Sequence, residues 1–288
     1  MDDSSEYLHR IVAFALAEDL GSGDVTSKAT IPADKGGRAV LLARQEGILA
    51  GSEVVNAVFA ELGGQAAIVW NVEDGDRLSR GQDVAQFEGP LATLLAGERV
   101  ALNFLARMSG IATLTRKYVE AVNGHQAKIL DTRKTTPGLR HLEKYAVRCG
   151  GGENHRIGLY DMILVKENHI RAAGDIQKAT RAALAAAGRH RPRLAVEIEA
   201  GCFEDAIAGA RLVPDRIMLD NMNASDMKKT VLAIRDISSD LGMFIAIEAS
   251  GNVTLQNVHA VAETGVDFIS VGALTHSAPA FDFSLLVR

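Results

Sequence analysis

The sequence predicts an α/β protein: an N-terminal α/β sandwich domain over residues 1–110, then an open six-stranded α/β barrel over residues 111–274, with residues 275–288 expected to pack on the first domain. Three observations predict it. Six short β-rich apolar runs in the second half each stop abruptly at charged residues or glycine, helical patterns separate them, and strand alternating with helix means a parallel sheet with right-handed crossovers. Eight such repeats would close a barrel of about 250 residues. Some 160 residues with six runs suit a shortened barrel open at one side, and no G-x-G-x-x-G follows any run to favour the rival doubly wound sheet.

The first element reads as a helix capped by Ser4 or Ser5, with Leu8, Ile11, Val12, Ala15 and Leu16 on one face and Gly21 as terminator. Short strands follow at Ala39 to Ala43 and Ala67 to Asn71, with a helix from Glu53 to Leu62 between them and glycine turns at Gly75 and Gly81. The turn chemistry around Gly75 is like that of lipoyl and biotinyl carriers. No lysine sits between hydrophobes at a hairpin tip, so scaffold is the expected role. A long apolar helix should run from about Thr93 to Val122, broken or kinked near Ser109-Gly110. The six runs are Lys128 to Leu130, Met162 to Val165, Leu194 to Ile198, Ile217 to Leu219, Phe244 to Ile247 and Phe268 to Val271. Helices are expected from Ile176 to Ala187, Ser225 to Ile237 and Thr254 to Glu263, two of them closed by Gly188 and Gly265.

Composition narrows the function classes. With 31 Lys and Arg against 36 Asp and Glu, the chain has no global field to attract nucleic acid or an anionic membrane. Cys149 and Cys202 form no C-x-x-C pair and are too few for a disulfide framework, which makes the cytoplasm the expected compartment. The apolar stretch Ile11 to Ala17 runs into Glu18 and Asp19, so no export or spanning segment is read.

Chemistry in a barrel sits at the carboxyl ends of the strands. In order, those positions hold Asp131 to Thr135, Lys166 to His169, Glu197 and Glu199, Asp220-Asn221, Glu248 to Asn252, and Gly272-Ala273. Alternation sends Glu197 and Glu199 to one side, and Glu199 is the one at the rim. Lys128 to Arg171 carries nine Lys and Arg against five Asp and Glu, a local excess of +4 on a chain totalling −5. Arg133, Lys134 and Lys166 directly follow buried runs and suit a polyanionic ligand; Lys144 and Arg148 read as a solvated helix face. Gly150 to Arg156 reads as a flexible loop bearing His155 and Arg156. The small residues of Ser250-Gly251-Asn252 and Gly272-Ala273 suit backbone contact to a phosphate, and nearby carboxylates suit Mg²⁺ or ribose hydroxyls. No H-E-x-x-H or comparable spacing points to zinc.

These residues resemble a known family. Glu98-Arg99, Leu102-Asn-Phe104, Ser109-Gly-Ile-Ala-Thr113, Asp131-Thr-Arg-Lys-Thr-Thr-Pro-Gly-Leu-Arg140, Lys144-Tyr-Ala-Val-Arg148, Gly150-Gly-Gly-Glu-Asn-His-Arg156, Lys166-Glu-Asn-His169, Leu219-Asp-Asn221 and Val271-Gly-Ala-Leu-Thr275 look like the quinolinate phosphoribosyltransferases, also called nicotinate-nucleotide pyrophosphorylases. The resemblance covers nearly the whole chain. It implies transfer of phosphoribose from phosphoribosyl pyrophosphate to quinolinate with decarboxylation, giving nicotinate mononucleotide, pyrophosphate and CO₂ in NAD biosynthesis. Mg²⁺ and no organic cofactor are implied, as is a homodimer with shared active sites. Arg99 would enter the partner subunit's site. Arg133, His155, Arg156 and Lys166 would surround the quinolinate carboxylates, with Lys134 also serving the substrates' negative charge. Glu199 and Asp220 would face the ribose and the magnesium pyrophosphate, and Ser250, Gly251, Gly272 and Ala273 would hold the 5′-phosphate. Glu199, Asp220, Lys134 and Lys166 are the implied catalytic group. Departures are small: Val100 where threonine is frequent, and Gly251-Asn252 where some members have two glycines. Three alternatives stand beside this reading: a molybdenum-transport-associated paralogue, a Schiff-base barrel aldolase using Lys166, and a non-catalytic phosphate-binding protein.

Overall fold

The computed structural model describes residues 3–288. They form two compact units whose segments interleave along the chain. The first comprises residues up to Arg116, Thr135–Gly151 and Thr275–Arg288; the second comprises Lys117–Lys134 and Gly152–Leu274.

In the first unit, helix α1 (Asp3–Leu20) buries Val12 and Leu16, and it starts ahead of the serines expected to cap it. Gly21 ends it at φ +50. Helix α2 (Val25–Thr30) is capped by the Asp24 carboxylate, which accepts from the N–H groups of Thr26 and Ser27. Strands β1 (Gly36–Ala43), β3 (Ala67–Trp70) and β5 (Asp83–Pro90) build an antiparallel sheet, and β2 (Gly47–Ile48) pairs with β4 (Arg77–Leu78). Helix α3 (Ser52–Glu61) buries Val54, Val55, Val58 and Phe59, and the Phe59 ring meets Phe87 of β5 edge-on at 5.4 Å. Its cap position is Gly51, which has no side chain to offer. Asp74 substitutes from a distance: its carboxylate accepts from the N–H groups of Gly51 and Ser52 and from the Tyr145 hydroxyl. The glycine turn there is therefore scaffold.

Helix α4 (Leu91–Ala121) is continuous, contrary to the expected break at Ser109-Gly110. Both residues serve close packing instead. Ser109 is buried and exchanges hydrogen bonds with the backbone of Ala50, and a Cβ on Gly110 would stand 2.1 Å from the Pro279 carbonyl oxygen. Another interaction knits the unit together: Arg107 donates to Glu143 at 2.7 and 3.0 Å and to the Thr275 carbonyl. Glu143, fully buried, also accepts from the Thr136 N–H and hydroxyl. It lies on α5 (Arg140–Cys149), where Lys144 is only 1% exposed; the solvated face expected for Lys144 is wrong, while Arg148 is exposed and stacks over Tyr145.

The second unit holds six parallel strands, β6 (Lys128–Leu130), β7 (Met162–Val165), β8 (Ala195–Ala200), β9 (Arg216–Asp220), β10 (Ala246–Ser250) and β11 (Phe268–Ser270). Their order is β6-β11-β10-β9-β8-β7, so β6 and β7 are the two edges of an open barrel. Helices α6 (Glu167–Ala173), α7 (Ile176–Ala187), α8 (Phe203–Ala210), α9 (Ala224–Leu241) and α10 (Val258–Ala262) follow the strands. After α11 (Ala273–His276), strand β12 (Phe283–Val287) pairs antiparallel with β1, giving the first sheet its order β12-β1-β5-β3.

Register explains why three strands run further than the apolar runs suggest. Glu197 pairs with Arg216, Glu199 with Met218, Met218 with Glu248, and Asp220 with Ser250. Parallel partners project to the same face, so these side chains share the barrel interior. The alternate residues Val196, Ile198, Ile217, Leu219 and Ile247 are fully buried on the other face, where Val196 and Ile198 pack with Ile176, Ala179 and Ala183 of α7. The expected strand start at Phe244 is also wrong, because Phe244 is 71% exposed and precedes β10.

Candidate active site

Most of the residues singled out from sequence gather at the carboxyl end of the one parallel sheet. Arg133 and Lys134 follow β6, Lys166 follows β7, Glu199 and Asp220 sit in the last two positions of β8 and β9, and Ser250 closes β10. Gly251 comes next, and Gly272 and Ala273 follow β11. Arg99 lies exposed on α4 in the first unit.

The segment carrying His155 and Arg156 is tied down, which corrects the flexible loop expected there. Glu153 bridges to β6 through its N–H on the Ile129 carbonyl and its carbonyl on the Asp131 N–H. Asp131, fully buried, then accepts from the Asn154 amide at 2.5 Å and the His155 N–H at 2.9 Å. A strand-like bridge and a buried carboxylate thus set the direction in which Arg156 leaves the barrel wall. Arg156 donates to the Met162 carbonyl. Burial first, and then the charge of neighbouring Arg133, hold its guanidinium pKa below the usual value, with Glu197 and Asp161 offsetting them. Two half-buried guanidinium groups that repel one another are an electrostatic setting for an anion.

The Lys166 ammonium, just past β7, is ion-paired with the Glu199 carboxylate, which also accepts from the Glu167 N–H at 3.3 Å. On the next strand, Asp220 accepts from the Asn221 amide at 2.7 Å. Glu199 and Asp220 therefore present two hard oxygen donors from adjacent strands, a donor set suited to Mg²⁺ or to ribose hydroxyls. Past Ser250 the chain turns through Gly251 at φ +93. A Cβ there would stand 2.2 Å from the Asn221 side-chain oxygen and 2.9 Å from its backbone nitrogen. Gly251→Ala is therefore expected to displace this turn and to raise KM for a phosphate-bearing substrate about tenfold, on the scale of one lost charge-assisted hydrogen bond. Steady-state kinetics with that substrate varied would check it.

Sequence reasoning passed over the layer beneath the rim. Glu197 and Glu248 are fully buried; His155 Nε2 lies 3.0 Å from Glu197 and 3.5 Å from Glu248, and Arg216 pairs with Glu248 at 2.7 Å. Ser270 donates to the other Glu248 oxygen. Burial, then the neighbouring Glu197, pushes the Glu248 carboxyl up to about 7; burial likewise raises Glu197. A raised carboxyl favours the native state most fully below its ordinary value of 4.5, and that contribution is lost as pH rises through about 7. Chemical denaturation should accordingly show a smaller difference in stability between about pH 5 and about pH 8 in Glu248→Gln than in the parent. The signal for this layer was present: charged residues alternate with isoleucine and alanine inside the runs Glu197-Ile-Glu199 and Ile247-Glu-Ala249.

An open α/β barrel with guanidiniums, a lysine and two carboxylates at its carboxyl rim, and small residues ending its last strands, has the chemistry suited to a phosphorylated, multiply anionic substrate. Comparison with known proteins gives the particular family. The N-terminal domain model of quinolinate phosphoribosyl transferase matches residues 24–109 and the C-terminal domain model matches residues 111–286, so the chain belongs to the quinolinate phosphoribosyltransferase family. A mitochondrial quinolinate phosphoribosyltransferase [decarboxylating] from Nicotiana tabacum is 42% identical over 97% of this chain and 82% of its own length. The nicotinate-nucleotide pyrophosphorylase structure from Francisella tularensis is 39% identical with a TM-score of 0.90, covering 98% of this chain and 96% of that one. NadC from Streptococcus pyogenes is 38% identical with a TM-score of 0.91, covering 100% and 99%.

Proposed function

We propose that this enzyme transfers phosphoribose from phosphoribosyl pyrophosphate to quinolinate and decarboxylates the product, yielding nicotinate mononucleotide, pyrophosphate and CO₂ in NAD biosynthesis. The observation that carries the reading is the gathering of Arg133, Lys134, Lys166, Glu199 and Asp220 at the carboxyl end of the parallel sheet, with Arg156 on a segment anchored by the buried Asp131. Two anionic substrates together bring on the order of six to seven negative charges and repel each other. Arg133, Arg156 and Lys166 offset that repulsion on the quinolinate side, with His155 and Lys134 beside them, and orient the pyridine nitrogen toward the anomeric carbon. As that nitrogen bonds to the anomeric carbon, the bond to pyrophosphate oxygen breaks, and the carboxylates of Glu199 and Asp220 stabilise the positive charge developing on the ribose. Ser250, Gly251, Gly272 and Ala273 take the 5′-phosphate. Decarboxylation then breaks the bond from the ring carbon beside nitrogen to its carboxylate. The electron pair stays on that carbon, stabilised by the adjacent cationic nitrogen, until a proton replaces the CO₂.

Mg²⁺ belongs to this reading as the counter-charge to pyrophosphate, held by Glu199 and Asp220 directly or through water; no organic cofactor is needed, because the alkylated ring is its own electron sink. The alternatives lose ground. The Lys166 nitrogen is engaged by the Glu199 carboxylate instead of standing open as a Schiff-base nucleophile, and the family match favours neither a molybdenum-associated paralogue nor a non-catalytic binder. A cytoplasmic setting is part of the proposal, supported by two free cysteines; among the described residues no helix is long and apolar enough to cross a membrane.

The test is a coupled assay for pyrophosphate and CO₂ with Mg²⁺, comparing quinolinate with nicotinate. Both products from quinolinate, and neither from nicotinate, are expected; no product from quinolinate would sink the assignment. The proposal also makes the enzyme a homodimer in which Arg99 completes the partner subunit's site. Mixing inactive Arg99→Ala with inactive Glu199→Ala subunits should then restore activity through one intact site per heterodimer. Failure to recover after verified subunit exchange would remove Arg99 from that role.

A further inference from the structure

The barrel interior below the rim holds charged groups that the reaction as described does not use. Glu197 and Glu248 are both fully buried, and one oxygen of each lies close to the same imidazole nitrogen, His155 Nε2, at 3.0 and 3.5 Å; these are short polar contacts rather than aligned hydrogen bonds. The other ring nitrogen, Nδ1, accepts the backbone N–H of Arg156 at 2.7 Å. That bond assigns the ring proton to Nε2, facing the two carboxylates. The network continues away from the rim: Arg216 holds Glu248 at 2.7 Å and Ser270 donates to its second oxygen. Four strands, β8 to β11, thereby join one network with the Asp131-anchored segment, and β8 and β10 reach the ring itself.

Resting on the proposed reaction, we infer that Glu197 and Glu248 are positioning residues for the quinolinate carboxylates. They hold the His155 ring through Nε2, the ring holds the Arg156 main chain through Nδ1, and the Arg156 fork is thereby aimed at the rim beside Arg133. Neither glutamate touches substrate.

The same three side chains have the spacing of a small metal site, since their ligand atoms lie within 4.8 Å of one another. The Arg216 guanidinium already supplies the positive partner of Glu248, and the Nδ1 bond gives the ring a fixed proton on the nitrogen a metal would need. Positioning accounts for both bonds.

A purely electrostatic role and a positioning role predict opposite signs. Removing negative charge from beneath an anion site should tighten quinolinate binding if the charge acts only through its field. If it acts by holding the ring, the guanidinium is loosened, and a misplacement of about 1 Å can cost on the order of a hundredfold. Because Arg216 sits on the same carboxylate, the field reaching the rim is partly cancelled, and the positioning effect should win.

The experiment compares the parent with Glu248→Gln and Glu197→Gln, measuring KM for quinolinate, KM for phosphoribosyl pyrophosphate, kcat, the melting temperature and the ¹⁵N shifts of the His155 ring. We expect KM for quinolinate to rise at least tenfold in both variants and KM for phosphoribosyl pyrophosphate to stay within twofold. The ring shifts should show Nε2–H in the parent and a changed or mixed tautomer in the variants. Unchanged or lower KM for quinolinate would overturn the inference, as would equal rises in both KM values together with a falling melting temperature, the mark of a general structural role. If the parent itself yields no CO₂ from quinolinate, the proposed reaction has failed, and the ring shifts still decide whether the glutamates hold His155.

Discussion

Arg156→Ala is expected to lower kcat/KM for quinolinate by at least a hundredfold while moving the melting temperature by only a few degrees. The activity figure follows from the bonds at stake. A guanidinium fork on a carboxylate makes two charge-assisted hydrogen bonds, each contributing about 1.5–3 kcal/mol, and a hundredfold corresponds to about 2.7 kcal/mol. The small effect on stability follows from what Arg156 does before substrate arrives. It gives one bond to the Met162 carbonyl, but it is partly desolvated and repelled by Arg133, so its removal relieves roughly as much as it costs. Arg156→Lys should recover little, because a point charge cannot reproduce the fork. Steady-state kinetics alongside thermal unfolding would check both halves. A variant with near-normal kcat/KM would remove Arg156 from the quinolinate site.

The second large effect concerns stability. Gly110→Val should destabilise the protein by more than about 3 kcal/mol, seen as a fall in melting temperature on the order of 10 °C. Even a Cβ at position 110 would stand 2.1 Å from the Pro279 carbonyl oxygen and 3.3 Å from the Phe281 nitrogen, and backbone cannot swing aside as a side chain can. Gly36→Ala is the control. Its Cβ would meet nothing closer than the Gly89 oxygen at 4.0 Å, so it should stay within about 0.5 kcal/mol of the parent. Equal melting temperatures for the two variants would refute the close-approach account of Gly110.

The same glycine shows where sequence reasoning reached its limit. Ser109-Gly110 within an apolar helix reads as a break by propensity, because propensity knows nothing of the segment before β12 that packs there; tertiary contact overrode it. The barrel was legible for the opposite reason: its strands bury Ile, Val and Leu against helices, and apolar runs are what a single chain displays most clearly. The inward face was not legible as strand. Glu199, Asp220 and Ser250 fall beyond the apolar runs because polar residues are read as exposed, whereas here they are strand residues on the inward face. Candidate residues at the rim were found by position, since whatever follows a barrel strand lies at one end. Alternation puts Glu197 a layer below Glu199, but a single sequence does not say what a buried carboxylate such as Glu197 or Glu248 holds. Short strands such as Gly47–Ile48, Arg77–Leu78 and Phe283–Val287 carry too few residues for any period to show.

Strand β12 makes the first sheet dependent on residues 283–287, which the ribosome adds only after every strand of the barrel. Vectorial synthesis thus cannot finish the amino-terminal unit first. Until the last strand emerges, the outer edge of β1 is an unpaired row of amide and carbonyl groups, available to another nascent chain or to a chaperone. Expression of stop-codon truncations before Phe283 should then give aggregates instead of a shortened soluble enzyme.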